Sequence, residues 1–96
     1  MEIKKTVNGS QLELALSGRL DTTTAPELEK ELQLNGITSL ILDFKDLEYI
    51  SSAGLRVVLQ AQKTMNRQGA MALRNVGSDI MEIFNMTGFS GILKFE

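Results

Sequence analysis

Apolar and polar residues alternate near the start of the chain in the pattern of a β-hairpin. Three leucines alternate with polar or small residues over 11–17, and segment 2–7 precedes them. Between the two segments, Asn8 and Gly9 form the dipeptide that favours the positive φ angles of a tight hairpin turn. The pattern predicts two antiparallel strands with one face buried.

A helix and a buried strand are predicted next. Thr24 and Glu27 have the spacing of a capping box, and Pro26 falls in the first turn, where a missing N–H matters least. The Asn-Gly pair at 35–36 predicts the end of this helix. Segment 37–44 is nearly continuous in apolar residues, which is typical of a central strand covered on both faces.

The second half of the chain alternates between helical and strand patterns. Its predicted parts are a connection over 45–50, a helix over 52–68, a strand over 70–76, a helix over 78–88 and a strand over 91–95. The whole order predicts one α/β domain over 1–96. Its helices are expected to pack on a mostly parallel or mixed sheet of four to five strands that begins with the hairpin.

The amino-acid composition and charge of the chain exclude several classes of function. The chain has no His and no Cys, so a Ser-His-Asp relay, a thiolate nucleophile and a zinc-thiolate site are excluded. Its ten Lys and Arg residues are scattered and the net charge is −2, which argues against binding nucleic acid. These features favour a binding module without a cofactor over an enzyme.

No segment of the sequence resembles a membrane anchor or a secretion signal. A bilayer span needs about 20 apolar residues, and no run approaches that length. The first residues, "MEIKK", lack the apolar core of a signal peptide. We therefore expect a cytoplasmic protein that has no contact with membranes.

Two adjacent serines stand where the second helical pattern begins. Ser51 or Ser52 is expected to be the N-cap, whose side-chain oxygen accepts a backbone N–H and contributes about 1 kcal/mol. Gly54 lowers helix propensity in the first turn, which indicates close approach by another backbone. Because a helix N-terminus favours anions, a phosphoserine could form here without unfolding the domain.

Three stretches of the sequence resemble the anti-sigma factor antagonist family, the small bacterial STAS domains. They are "LSGRLDTTTAPELEKEL", "LILDFKDLEYISSAGLRVVL" and "IFNMTGFSGILKF", and they occur in the family's order. In this family, a serine directly before a small residue and Gly-Leu is phosphorylated. The matching position here is Ser52, with Ser51 as the alternative.

The resemblance also implies partners and a surface for them. Its members bind, when unphosphorylated, an anti-sigma factor that is also their serine kinase, and so free the sigma factor. Phosphorylation abolishes binding, and a metal-dependent serine phosphatase reverses it. A monomer is expected. The implied partner-binding residues are Asp21, Thr22, Thr23, Ser51, Ser52, Ala53, Gly54 and Arg56.

Asp21 and Arg56 each have an alternative role. Asp21 also suits a purely electrostatic role at the start of the first helix. Arg56 stands where many relatives have Gly, and at i,i+4 from Ser52 it could pair with a phosphate, contact an acidic partner or be solvated.

Two other functions compete with the switch. One is a scaffold or transporter-associated STAS subunit that is never phosphorylated. The other, a hydrolase using Ser52, is disfavoured because the chain has no His.

Overall fold

Four strands, three helices and a short 3-10 turn make up the chain. The computed structural model describes all residues, 1–96. Its elements are β1 (Glu2–Asn8), β2 (Gln11–Leu20), α1 (Ala25–Glu31), β3 (Ser39–Ile50), α2 (Ser52–Asn66), β4 (Ala70–Arg74), α3 (Ser78–Thr87) and the 3-10 turn Phe89–Gly91.

The sheet is mixed, as the sequence predicts. Its strands lie in the order β1-β2-β3-β4, with β1 antiparallel to β2 and the other two pairs parallel. All three helices and strands β2 to β4 contribute to one cluster of buried apolar side chains. Within it, Phe84 of α3 packs between Phe44 and Phe95, with ring centroids 6.3 and 5.6 Å away. The α/β fold class is therefore confirmed.

The leucine alternation in β2 has the predicted result. Leu12, Leu14 and Leu16 are all buried. The hairpin turn lies one residue later than predicted, because Asn8 still pairs with Gln11 and the two residues between them form the turn. Gly9 is the turn residue with a positive φ, at 62°.

Helix α1 begins after Thr24, with Pro26 in its first turn as predicted, but it lacks the predicted capping hydrogen bond and ends early. The Thr24 side chain makes no cap hydrogen bond, so the predicted capping box is wrong. Its hydroxyl is already engaged elsewhere, because it donates to the Arg19 carbonyl at 2.7 Å and accepts from the Asp21 N–H at 2.8 Å. The helix also stops at Glu31, one turn before the Asn-Gly pair.

Strand β3 is longer than predicted. The prediction of a connection over 45–50 is wrong, because this segment continues the strand as far as Ile50. Two β-bulges keep it paired with β2, and at each one β3 has one residue more than its partner. The bulges place Phe44 and Leu47 in the core three residues apart, instead of at the alternate positions of a regular strand.

The last apolar segment is not a strand. Only one bridge pairs Phe95 with Leu73 of β4, so the predicted strand over 91–95 is wrong. The 3-10 turn and a helical Ile92 take up the first two residues of that segment, and the chain enters the core again at Leu93. The sheet therefore has four strands, the lower end of the predicted range.

Helix α2 has the predicted start and ends two residues before the predicted end. Its apolar residues Leu55, Val58 and Met65 are buried. Gln62 is also buried although it is polar, and its amide donates to the Asn66 side chain at 2.8 Å. No helix of the structure is both long and apolar enough to cross a bilayer.

Candidate functional site at the start of helix α2

The end of β2 and the start of α2 are joined by backbone hydrogen bonding. The Ser51 N–H donates to the Leu20 carbonyl at 2.9 Å, and Leu20 is the parallel partner of Ile50. Asp21 follows Leu20 directly, and Ser52 follows Ser51. The sheet therefore brings together the two segments that the sequence nominates separately, 21–23 and 51–56.

Ser51 is the N-cap of α2, and Ser52 is its first residue. The Ser51 hydroxyl accepts the Gly54 N–H at 3.3 Å, and its carbonyl accepts the Leu55 N–H at 2.9 Å. Ser51 is half-buried, whereas Ser52 is exposed and its hydroxyl makes no hydrogen bond to the chain. The two serines thus differ in role, and the free hydroxyl belongs to Ser52.

Gly54 explains how closely α2 approaches β2. A Cβ at this position would lie 2.7 Å from Leu20 Cγ, 2.9 Å from Ile50 Cγ1 and 3.0 Å from the Leu20 carbonyl oxygen. The backbone approach that the sequence indicates is therefore present. It fixes the position of the first turn of α2, including Ser52, on the end of the sheet.

Gly54→Ala is expected to destabilise the fold by about 1–2 kcal/mol. Overpacking against Leu20 and Ile50 costs roughly 1–3 kcal/mol, and the better helix propensity of Ala offsets up to about 1 kcal/mol of this loss. Urea denaturation measures the difference. Gly91→Ala is the control, because a Cβ there meets nothing within 4 Å. Equal stability of the two variants would contradict this packing.

The loop after β2 is organised by the Asp21 carboxylate. Its Oδ1 accepts from the Thr23 hydroxyl at 2.7 Å, the Thr23 N–H at 3.0 Å and the Thr24 N–H at 3.2 Å. These bonds satisfy backbone donors where the chain enters α1, so Asp21 has a structural role there. Its participation in partner binding stays a prediction.

Hydrogen bonding lowers the pKa of Asp21. The Thr23 hydroxyl is the largest cause, the backbone N–H groups of Thr24 and Thr23 add to it, and desolvation opposes it. A lowered pKa in the folded state means that the charged form stabilises the fold. This contribution is complete above the usual Asp value of about 3.9. It is lost as the pH falls through the folded-state pKa.

Thr23→Ala is therefore expected to raise the pKa of Asp21 part of the way to its usual value. The backbone donors of residues 23 and 24 remain, so the return is incomplete. An NMR titration of the Asp21 carboxyl carbon measures the midpoint. Thr22→Ala is the matched control, since the Thr22 hydroxyl donates no hydrogen bond to Asp21. An unchanged midpoint in Thr23→Ala would show that this assignment of cause is wrong.

Arg19 and Tyr49, which the sequence does not single out, flank this loop. They are cross-strand partners, and the Arg19 guanidinium lies 4.3 Å from the centre of the Tyr49 ring. Arg19 Nε is also 3.8 Å from Asp21 Oδ2. The pairing depends on the bulged register of β3, so no local sequence signal could have indicated it.

The other nominated residues differ in accessibility. Thr22, Thr23 and Arg56 are exposed, Ala53 is half-buried and Gly54 is buried. The buried Gly54 can therefore act only by positioning its neighbours. Across the molecule, no group of three or more Asp or Glu side chains is arranged to hold a metal ion.

A groove that the sequence does not reveal begins at Ser52 and follows α2. It lies between this helix and the chain around the 3-10 turn, and encloses about 620 Å³. Phe89 and Ile92 contribute to its wall, although the sequence assigns Ile92 to a strand. The available signal was the spacing of Ser52, Arg56 and Lys63, which places all three on one side of a helix.

Fold, strand order and the α2 N-terminus together define a STAS domain. The STAS domain family matches residues 2–96, so the chain belongs to this family. Among curated relatives, BtrV of Bordetella bronchiseptica, named as a candidate anti-sigma factor antagonist, is 38% identical over 81 residues. That alignment covers 80% of this chain and 70% of BtrV.

Solved structures share the fold at lower identity. An anti-sigma factor antagonist from Mycobacterium paratuberculosis has a TM-score of 0.87 at 18% identity, over 98% of this chain and 83% of that one. The Bacillus cell fate determinant SpoIIAA in its phosphorylated form has a TM-score of 0.77 at 18% identity, over 99% and 91%. The predicted family and fold are thus confirmed, and the named relatives are regulators.

Proposed function

We propose that this chain is an anti-sigma factor antagonist switched by phosphorylation of Ser52. Membership of the STAS family and relatives of that name support the general role. The observation that carries the choice of residue is the contrast between the serines. Ser51 is committed to capping α2, while the Ser52 hydroxyl is exposed and free to react.

In this proposal, the unmodified protein binds an anti-sigma factor that is also its serine kinase. The binding surface includes the exposed residues Thr22, Thr23, Ser52 and Arg56. A metal-dependent serine phosphatase restores the unmodified form. Both reactions take place in the cytoplasm, on a monomer.

The position of Ser52 supports a switch that needs no refolding. A phosphate there adds about −1.5 to −2 charge at the N-terminus of α2, where the helix dipole favours an anion. The fold around Gly54 and the Ser51 cap stays in place, so the modification acts on whatever docks. A partner that covers this surface must then bury a charge that a single neighbouring cation, Arg56, neutralises only in part.

Transcript profiling in the native host tests this function. Ser52→Ala is expected to bind the anti-sigma factor permanently and to raise transcripts that depend on one sigma factor. Ser52→Glu is expected to lower the same transcripts. If both variants gave the wild-type transcript profile, Ser52 would be only part of the first turn of α2, and the chain a constitutive binding domain.

A further inference from the structure

The groove along α2 has an apolar floor and a cationic side. Leu55 and Leu59 of α2 face Phe89 and Ile92 across it. Ile92 is 59% exposed, so its side chain is available to a ligand in the groove. At about 620 Å³, the groove is large enough to take several side chains of another molecule.

The charges that line this groove are all of one sign. Arg56 and Lys63 both line it, and no Asp or Glu does. Neither cation forms an ion pair within the chain. In a protein whose net charge is −2, this local excess of positive charge contrasts with the overall balance. The groove is therefore complementary to an apolar segment that carries carboxylates.

The spacing of the two cations adds a geometric requirement. Arg56 and Lys63 are seven residues apart, which is about two helical turns and roughly 10 Å along the axis. The apolar residues Leu55 and Leu59 lie beside this interval. A matching ligand must present two acidic groups at about that separation, next to apolar side chains.

We propose that the groove docks an acidic amphipathic segment of the protein partner. Its apolar side chains pack on Leu59, Phe89 and Ile92, and its carboxylates pair with Arg56 and Lys63. The interface thereby extends along α2, well beyond the residues nominated from the sequence. Identifying this partner as the anti-sigma factor rests on the proposed function.

The same geometry links docking to the switch. Ser52 lines the end of the groove, four residues before Arg56, a spacing at which helix side chains are neighbours. A phosphate on Ser52 is an anion at the end of an anion-binding groove. The phosphate competes with a partner carboxylate for Arg56. It also repels that carboxylate, because both groups are anions.

Site-specific photo-crosslinking in the native host tests the docking surface. A photo-reactive amino acid replaces Gln60, which lines the groove, or Gln11, which lies in β2 and outside it. The crosslinked partner peptide is then sequenced by mass spectrometry. We expect an adduct from position 60, but not from 11, on a segment in which Asp or Glu residues alternate with apolar ones.

Charge reversal at Lys63 and at Arg67 supplies a matched comparison inside and outside the groove. With the crosslinker at position 60, Lys63→Glu is expected to reduce adduct yield about tenfold, because attraction at the groove becomes repulsion. Arg67→Glu makes the same charge change just beyond the helix and outside the groove, and is expected to leave the yield unchanged. Equal loss in both variants would indicate a general charge effect and overturn the proposal.

The outcomes separate docking from the wider function. No adduct at position 60, or an adduct on a basic or uncharged segment, overturns the docking surface even if Ser52 proves to be a switch. An adduct on an acidic segment of a protein unrelated to sigma factors supports the groove and contradicts the proposed function.

Discussion

A phosphate on Ser52 is expected to weaken binding of the proposed anti-sigma partner roughly 30- to several-thousand-fold. This range corresponds to the 2–5 kcal/mol that an unpaired charge costs at a covered interface. Asp21 follows Leu20, which is hydrogen-bonded to Ser51, so an acidic residue already lies at this end of the sheet. Calorimetric titration of the purified partner with unmodified and phosphorylated protein measures the difference.

The chain offers a close control for that measurement. Ser78 is the first residue of α3 and exposed, as Ser52 is in α2. Phosphoserine can be incorporated genetically at either position. We expect a phosphate on Ser78 to change the affinity by less than a factor of about five, since it leaves the proposed surface unaltered. Similar losses from both phosphates would mean that net charge is responsible and Ser52 is not special.

Gly69→Ala is expected to lower the free energy of unfolding by about 3 kcal/mol or more. A Cβ at Gly69 would overlap the carbonyl oxygen of Thr38 and lie 2.6 Å from its carbonyl carbon. That oxygen accepts the Ala70 N–H at 3.0 Å, a bond beside the first pair of β3 and β4. The carbonyl cannot turn away without losing this bond, so the effect lies at the upper end of overpacking.

Urea denaturation of Gly69→Ala and Gly77→Ala tests this close approach. Gly77 also precedes an element but has a φ of −68° and open space around its Cα, so Ala there is expected to cost less than about 1 kcal/mol. A loss below 1 kcal/mol in Gly69→Ala would show that the connection between α2 and β4 is looser than described.

The parts of the fold that follow from the sequence are those with a regular period. The alternate leucines of β2 and the helical spacing of Leu55 and Val58 each indicate one buried face, and those faces are buried. Such patterns work because a regular element repeats its orientation to the core. Element order then determines a mixed α/β sheet.

The parts of the fold that the sequence did not predict are those where contacts between distant residues override the local sequence pattern. In β3, bulges place Phe44, Leu47 and Ile50 three residues apart, a spacing that fits neither a regular strand nor a clear helix. The segment that follows α1 is another case. There the Gln68 side-chain amide donates hydrogen bonds to the carbonyls of Leu34 and Ile37, which are 34 and 31 residues away in the sequence. Neither feature has a local signal.

The candidate site likewise has parts that the sequence indicates and parts that only the structure shows. The sequence places two serines at a helix start, but only the direction of the Ser51 hydroxyl, towards the Gly54 N–H, distinguishes cap from free side chain. The groove requires Phe89 and Ile92 to lie against α2, which depends on the 3-10 turn that replaces the predicted strand. Contacts between segments that are far apart in the sequence therefore define the groove.

The proposed switch depends on a phosphate carried by Ser52. Its most direct test is the intact mass, with peptide mapping, of wild-type protein and of Ser52→Ala and Ser51→Ala purified from the native host. We expect a species heavier by one phosphate in the wild type and in Ser51→Ala, mapped to residue 52 and absent from Ser52→Ala. A phosphate mapped to Ser51, or no phosphoform under any growth condition, would contradict it.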